Sequence, residues 1–300
     1  MNLVNRTVYQ LMKALSALAC RLGRARAMAA GAAFADGLYG VYRLTPYRGF
    51  VEGNIRAAFP TMGPAEAVDL GRAHLRQLVR AIVELMRFPV LSDAELDAIV
   101  AWPDRRHLDE ALESGKGVVF VSAHFGNWEI LGAALSRLVP LTVIVQPPSQ
   151  GAFERLFVEY RAMRGIRTLP NTGKVSLRPA LRALRRGEAV ALLADQHGEA
   201  QEAIATLFAH PVSVPMGPFY LAKKSGATLL PVFIARQSDL THRVMVGPPL
   251  PATGEPEDAQ AYCEVLEAQV REHADHWLWV HDRWARESEL RAGALERVVS

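Results

Sequence analysis

Two side chains five positions apart, His124 and Glu129, stand in the stretch Ala123-His124-Phe125-Gly126-Asn127-Trp128-Glu129. A carboxylate on one ring nitrogen of an imidazole fixes its tautomer and raises the basicity of the other nitrogen. The pair then serves as a general base for a hydroxyl nucleophile. Spacing restricts how the two can meet. In one continuous helix, five residues turn about 500°, which leaves the two side chains about 140° apart. They converge only if His124 sits in a turn and Glu129 in the first turn of a following helix, with Gly126 supplying the unusual backbone angles. A histidine that follows a buried strand, beside a glycine and ahead of a carboxylate, reads as functional rather than as a core histidine. A divalent ion is the competing use, because Glu129, Asp195 and His197 could join His124 around it. No helix supplies the i, i+4 histidine pair of the usual zinc enzymes, so no metal site is expected.

The surrounding pattern says what must position these residues. Short apolar runs bounded by turn residues read as strands: 117–122 (GVVFVS), 141–146 (LTVIVQ), 189–194 (AVALLA), 228–234 (TLLPVFI) and 243–246 (RVMV). Helical spacing fills 127–138 and 153–163. A further helix over 177–186 has Ser176 as its expected N-cap, Pro179 in its first turn and Gly187 at its end, and another helix starts near Pro215. Strands alternating with helices predict an α/β fold with a mostly parallel central sheet flanked by helices. Ligands of such sheets bind beyond the carboxyl ends of the strands, which is where His124 and Asp195 fall.

Residues 51–100 read as helices around turns at Phe59-Pro60 and Gly63-Pro64. Residues 1–50 are basic, Ala/Leu-rich and helical, ending near Pro46. Of the 34 Lys and Arg, eight lie in residues 1–56 against only Asp36 and Glu52, while the remainder is slightly acidic. Val8, Leu11, Met12, Leu15, Leu18, Ala19 and Leu22 recur at helical spacing, the pattern of a helix lying in a membrane interface or packed on the protein's own core. No run reaches ~18 apolar residues, so no spanning helix is predicted, and no signal peptide is evident. The division expected is therefore 1–50 for membrane association and 51–300 for catalysis. Cys20 and Cys263 are the only cysteines and read as free thiols.

The motif HFGNWE resembles that of the bacterial lipid A late acyltransferases, in the wider lysophospholipid acyltransferase superfamily, where four residues separate a His from an acidic residue. Other blocks resemble the same family in order and spacing. They are Asn54-Ile55-Arg56-Ala57-Ala58-Phe59-Pro60, Glu84, Gln146-Pro147, Arg161 and Arg164 before Gly165, Asp195-Gln196, Gly217-Pro218 to Pro231, and the ending Trp277-Leu278-Trp279-Val280-His281-Asp282-Arg283-Trp284. Together they span residues 51–285. Two features depart from the family: the amphipathic rather than membrane-spanning N-terminus, and the segment Phe208-Ala209-His210-Pro211 to Ser213.

The resemblance implies direct transfer of a fatty acyl group from an acyl carrier protein or coenzyme A thioester to a hydroxyl of a lipid or glycolipid, such as a lipid A precursor. No cofactor and no nucleic-acid partner is implied. His124 would deprotonate the acceptor hydroxyl with Glu129 as its partner, then protonate the departing thiolate. Arg161, Arg164 or backbone N–H groups near Gly126 would face the developing oxyanion. Asn127 and Gln196 join the expected substrate-binding set, and Asp195 would position an arginine or the acceptor. The implied location is the cytoplasmic face of the inner membrane, peripheral or monotopic. Acceptors other than lipid A, and hydrolysis of lipid esters or thioesters by the same dyad acting on water, are the alternatives. The sequence lacks a G-x-S-x-G elbow, which argues against a serine hydrolase.

Overall fold

The structure, a computed structural model, describes residues 3–45, 47, 49–146, 151–171, 174–196 and 202–284. Pro46, Pro147 and His197, each singled out in the sequence, lie outside the described residues. The chain opens with four helices: α1 (Leu3–Arg21), α2 (Arg24–Tyr42), α3 (Phe50–Ala58) and α4 (Pro64–Met86). The start of α4 is legible in its residues. Pro64 fits the first turn, and the Glu66 carboxylate reaches back to the Gly63 N–H at 2.8 Å. The helix α5 (Asp93–Ile99), strand β1 (Val100–Ala101) and helix α6 (Arg106–Glu113) lead into the alternating part.

That part runs β2 (Val118–Ser122), α7 (Trp128–Ser136), β3 (Leu141–Val145), α8 (Ala152–Met163), β4 (Arg167–Pro170), α9 (Lys174–Arg185) and β5 (Ala189–Leu193). A hairpin of β6 (Glu202–Leu207) and β7 (His210–Pro215) follows, then α10 (Gly217–Ser225), β8 (Thr228–Arg236), β9 (His242–Val246) and α11 (Pro256–Glu272). Among the described residues, seven strands form one sheet in the order β1-β9-β8-β2-β5-β3-β4, parallel except for the β8–β9 pair. β2 lies between β5 and β8, in register from Val118 against Ala189 to Ser122 against Leu193.

Every residue of β2 is buried, because helices cover both sheet faces. Val119 and Val121 pack with α9, α10 and α11 on one side, while Val118 and Phe120 pack with α1, α7 and α8 on the other. Truncating a core ring such as Phe120, fully buried here, to alanine would cost about 3–5 kcal/mol.

The five predicted strands are all present, but β1, β4 and the β6–β7 hairpin were not foreseen. The hairpin turns at Phe208 and Ala209, both at positive φ, and neither residue type signals such a turn. The helix α9 starts at Lys174, so Ser176 lies inside it rather than at its N-cap, with Pro179 in its interior. The apolar stripe of α1 divides between the two uses foreseen for it. Met12 is buried with Tyr9 against α8 and α4, whereas Leu11, Leu15 and Leu18 are exposed.

Candidate active site

The strand β2 delivers His124 into the tight turn that opens α7. Gly126 makes the turn possible: its φ is +61°, and a Cβ there would lie 1.7 Å from the Ile234 carbonyl oxygen. Its own N–H donates to the carbonyl of His276 at 2.8 Å, so that donor is committed to holding the turn. Asn127 is fully buried and caps α7, its Oδ1 accepting from the N–H groups of Glu129 and Ile130 at 3.1 Å. The Asn127 amide donates to Glu84 Oε2 at 2.7 Å. Gly126 and Asn127, both in the expected substrate-binding set, shape the turn through these contacts.

Beside β2, the chain leaves the strand β5 at Leu193 and reaches Asp195 two residues later. Its Oδ1 meets His124 Nδ1 at 2.9 Å, and its Oδ2 accepts from the His124 backbone N–H at 3.0 Å. The indole N–H of Trp277 donates to the same Oδ2 at 3.0 Å. Asp195 is 2% exposed. Burial alone would raise its pKa, but the His124 charge and these donors outweigh burial and leave the carboxyl lowered. An ionised carboxylate only accepts, so Nδ1 carries a proton, and in the neutral imidazole Nε2 is the nitrogen with the free lone pair. Among the described residues, Nε2 makes no hydrogen bond, and the side chain is a quarter exposed.

Glu129 occupies the first turn of α7 as expected, yet it is not the carboxylate on the His124 ring. It forms a two-point ion pair with Arg161 of α8, Oε2 to Nε at 2.9 Å and Oε1 to Nη2 at 2.5 Å. Trp128 links the two groups: its ring meets the His124 ring edge-on at 5.1 Å, and its indole N–H donates to Glu129 Oε1 at 3.1 Å. The reason is geometric. The turn sends His124 toward β5, while the helix turns Glu129 toward α8. Arg164 donates to the Leu91 carbonyl at 3.0 Å and pairs with Asp93. Gln196 follows Asp195 and is half-buried.

Glu84 anchors the whole arrangement. Late in α4 and 3% exposed, it binds Arg24 at 2.8 Å, His242 at 3.0 Å and the guanidinium of Arg236, besides Asn127. Burial opposes its charge, but His242 and Arg236 more than offset that, so its carboxyl titrates well below the usual range. From the other side the C-terminal segment straps the turn, with a bridge from Phe125 to Trp277 and Asn54 binding the carbonyls of Trp279 and His281 at 3.0 and 3.1 Å. The roles of Trp277 and Asp195 toward His124 were missed in the sequence. The placement of His124 and Asp195 after two apolar strands was the available signal, usable once those strands are known to be neighbours.

Comparison with known proteins agrees with this architecture. A phosphatidylinositol mannoside acyltransferase of Mycolicibacterium smegmatis is 31% identical over 169 residues, 55% of each chain. That alignment takes in only about half of the relative's length. A lipid A biosynthesis palmitoleoyltransferase of Escherichia coli is 27% identical over 241 residues, 77% of this chain and 76% of the relative. A phosphatidylinositol mannoside acyltransferase of Mycobacterium tuberculosis is 31% identical over 178 residues, 56% of this chain and 55% of the relative. The sequence model of the bacterial lipid A biosynthesis acyltransferases matches residues 14–286, a span that holds the His124 turn, Asp195 and the C-terminal strap. The chain belongs to the bacterial lipid A biosynthesis acyltransferase family and is an acyltransferase enzyme.

Proposed function

We propose that the protein transfers a fatty acyl group from a thioester carrier to a hydroxyl of a membrane glycolipid, with His124 as general base and Asp195 as the carboxylate that orients it. The observation that carries this is the two-point hold of Asp195 on His124, through ring and backbone together. Nε2 takes the acceptor hydroxyl's proton as that oxygen attacks the thioester carbonyl, and returns it to the departing thiolate. Buried Asp195 stabilises the imidazolium formed between these steps. Glu129 and Arg161 act as a unit beside the base. Paired with Glu129, Arg161 presents a guanidinium whose charge is largely balanced, suited to holding a polar substrate group rather than to supplying bare positive charge. The oxyanion falls to the start of α7, where the N–H groups of Asn127 and Trp128 lack hydrogen-bond partners among the described residues. We assign Gln196, which directly follows Asp195 in the chain, to contact with the acceptor.

The acceptor is a lipid A precursor or a glycolipid of similar build, the two kinds of molecule named for its relatives. Among the described residues, no helix is long and apolar enough to cross a membrane. Val4, Leu11, Leu15 and Leu18 on α1, with Phe34, Leu38 and Val41 on α2, are exposed. Each gains about 1.5–3 kcal/mol if fully buried, and each neighbouring Lys or Arg adds up to ~1 kcal/mol at an anionic surface. These favour residues 1–50 as a device that rests the enzyme on the cytoplasmic face of the inner membrane. Lipid profiling of a deletion strain tests the assignment. Loss of one acyl chain from a glycolipid supports it, and an unchanged glycolipid profile with accumulated fatty esters favours a hydrolase.

A further inference from the structure

The outer face of α9 carries Arg178, Arg182 and Arg185, spaced i, i+4, i+7, and all three are exposed. Among the described residues none of them makes an ion pair. A carboxylate is near in sequence, but Glu188 is taken by Arg186 at 2.7 Å and by Arg167. The stretch 174–186 contains no acidic residue. The inward face, Ala180, Ala183 and Leu184, is buried against the sheet and holds the helix without help from the arginines. Like charges at these spacings oppose helix formation. The helix dipole compensates Arg182 and Arg185 in the last turn, and does nothing for Arg178.

The position of the stripe is as specific as its charge. The helix α9 crosses from β4 to β5, which run parallel to β3, so it runs against the strands. Its N-terminal end therefore lies on the side of the sheet where β2 and β5 deliver His124 and Asp195. From there the three arginines extend ~10 Å along the helix. The helix α1, with its exposed leucines, packs on the opposite sheet face with α8.

We propose that this arginine stripe docks the acidic face of an acyl carrier protein, which presents its thioester to His124. The proposal rests on the acyl-transfer reading above and names the donor that reading leaves open. A free coenzyme A thioester needs cations gathered around its phosphates, whereas a row along one exposed helix suits an extended acidic protein surface.

The test is charge reversal at all three positions, Arg178→Glu, Arg182→Glu and Arg185→Glu together, in the full-length enzyme, with folding checked by circular dichroism. Transfer is measured with the same acyl chain on acyl carrier protein and on coenzyme A, at low and high salt. Binding of unacylated carrier protein is followed in parallel by fluorescence anisotropy. The expected result is a rise of ~10-fold or more in KM for the carrier-protein donor with kcat retained. The coenzyme A donor should be unaffected, and the wild-type salt dependence should be lost. Unchanged KM and unchanged carrier binding overturn the proposal. So does an equal loss with both donors, or a loss confined to binding of anionic vesicles, which would make the stripe a membrane contact. If wild-type enzyme transfers from neither donor, the acyl-transfer reading fails instead, and carrier binding still decides the docking site.

Discussion

Asp195 grips His124 at two places, its Oδ1 on the ring Nδ1 at 2.9 Å and its Oδ2 on the backbone N–H at 3.0 Å. One buried carboxylate thus fixes both the tautomer and the place of the imidazole. Asp195→Asn keeps the size but can present its amide N–H to Nδ1, which favours the tautomer with the proton on Nε2. Transfer should fall by ~10³–10⁴-fold, as for the equivalent change in a Ser-His-Asp triad. Steady-state assays of the purified variant decide this. A loss under tenfold would remove Asp195 from the role.

The Glu129–Arg161 pair is buried enough for its halves to depend on each other, at 6% and 14% side-chain exposure. Removing one partner strands the other, at a typical cost of about 3–5 kcal/mol for a buried pair. Glu129→Gln and Arg161→Met should each lower the melting temperature and slow transfer severely. The double variant should be little worse than either single one. Thermal melts and rates on the three proteins check this. Fully additive losses would mean that the residues act separately.

Trp277 donates to the Asp195 oxygen that also receives the His124 backbone. Trp277→Phe removes that donor while keeping an aromatic ring in the same place. Asp195 then holds more negative charge for the imidazolium, so protonated His124 is favoured. The acidic limb of kcat/KM should move to higher pH. Tyr262, which is coupled electrostatically to Asp195, is left in place by the substitution. If activity falls with no movement of the pH profile, Trp277 serves packing only.

Acid should weaken the fold through His74. Burial pushes the pKa of this residue down to about 4, with Asp275 opposing. The folded state therefore holds His74 neutral where the unfolded chain binds a proton. Stability is intact above pH ~6.5 and is lost as pH falls toward 4, by about 3 kcal/mol for this group alone. Urea unfolding between pH 7 and 4.5 should show the decline, and His74→Phe should flatten it. An equal pH slope in the variant would assign the acid sensitivity elsewhere.

Attachment through residues 1–50 predicts that high salt or carbonate releases part of the enzyme from membranes. Replacing Leu11, Leu15 and Leu18 with serine should release more, without loss of fold, since all three are exposed. Extraction by detergent alone would contradict surface attachment.

The sequence made the strands that hold the site readable because each is a short apolar run closed by a turn. It also placed His124, Gly126 and Asp195 at their ends. It could not say that β5 lies directly beside β2, because strand order is a long-range property. The partner of His124 was therefore assigned to the nearest carboxylate in sequence, Glu129, instead of the nearest in space, Asp195. The side-chain amide of Asn127 is engaged by Glu84 and by capping α7, contacts that the motif alone does not reveal because Glu84 is distant in sequence. The hairpin around Phe208 and Ala209 stayed hidden because its positive-φ turn uses neither glycine nor asparagine.

The central claim is that His124 moves the proton in acyl transfer. Its most direct measurement is the rate at which purified His124→Ala transfers a radiolabelled acyl chain from its thioester to a lipid A precursor or phosphatidylinositol mannoside in mixed micelles, with folding and membrane association matched to wild type. General-base catalysis contributes typically 10²–10⁴-fold. The rate should fall by at least that factor, with labelled glycolipid as the wild-type product and no dependence on added divalent metal. Near-wild-type transfer by His124→Ala would contradict the account.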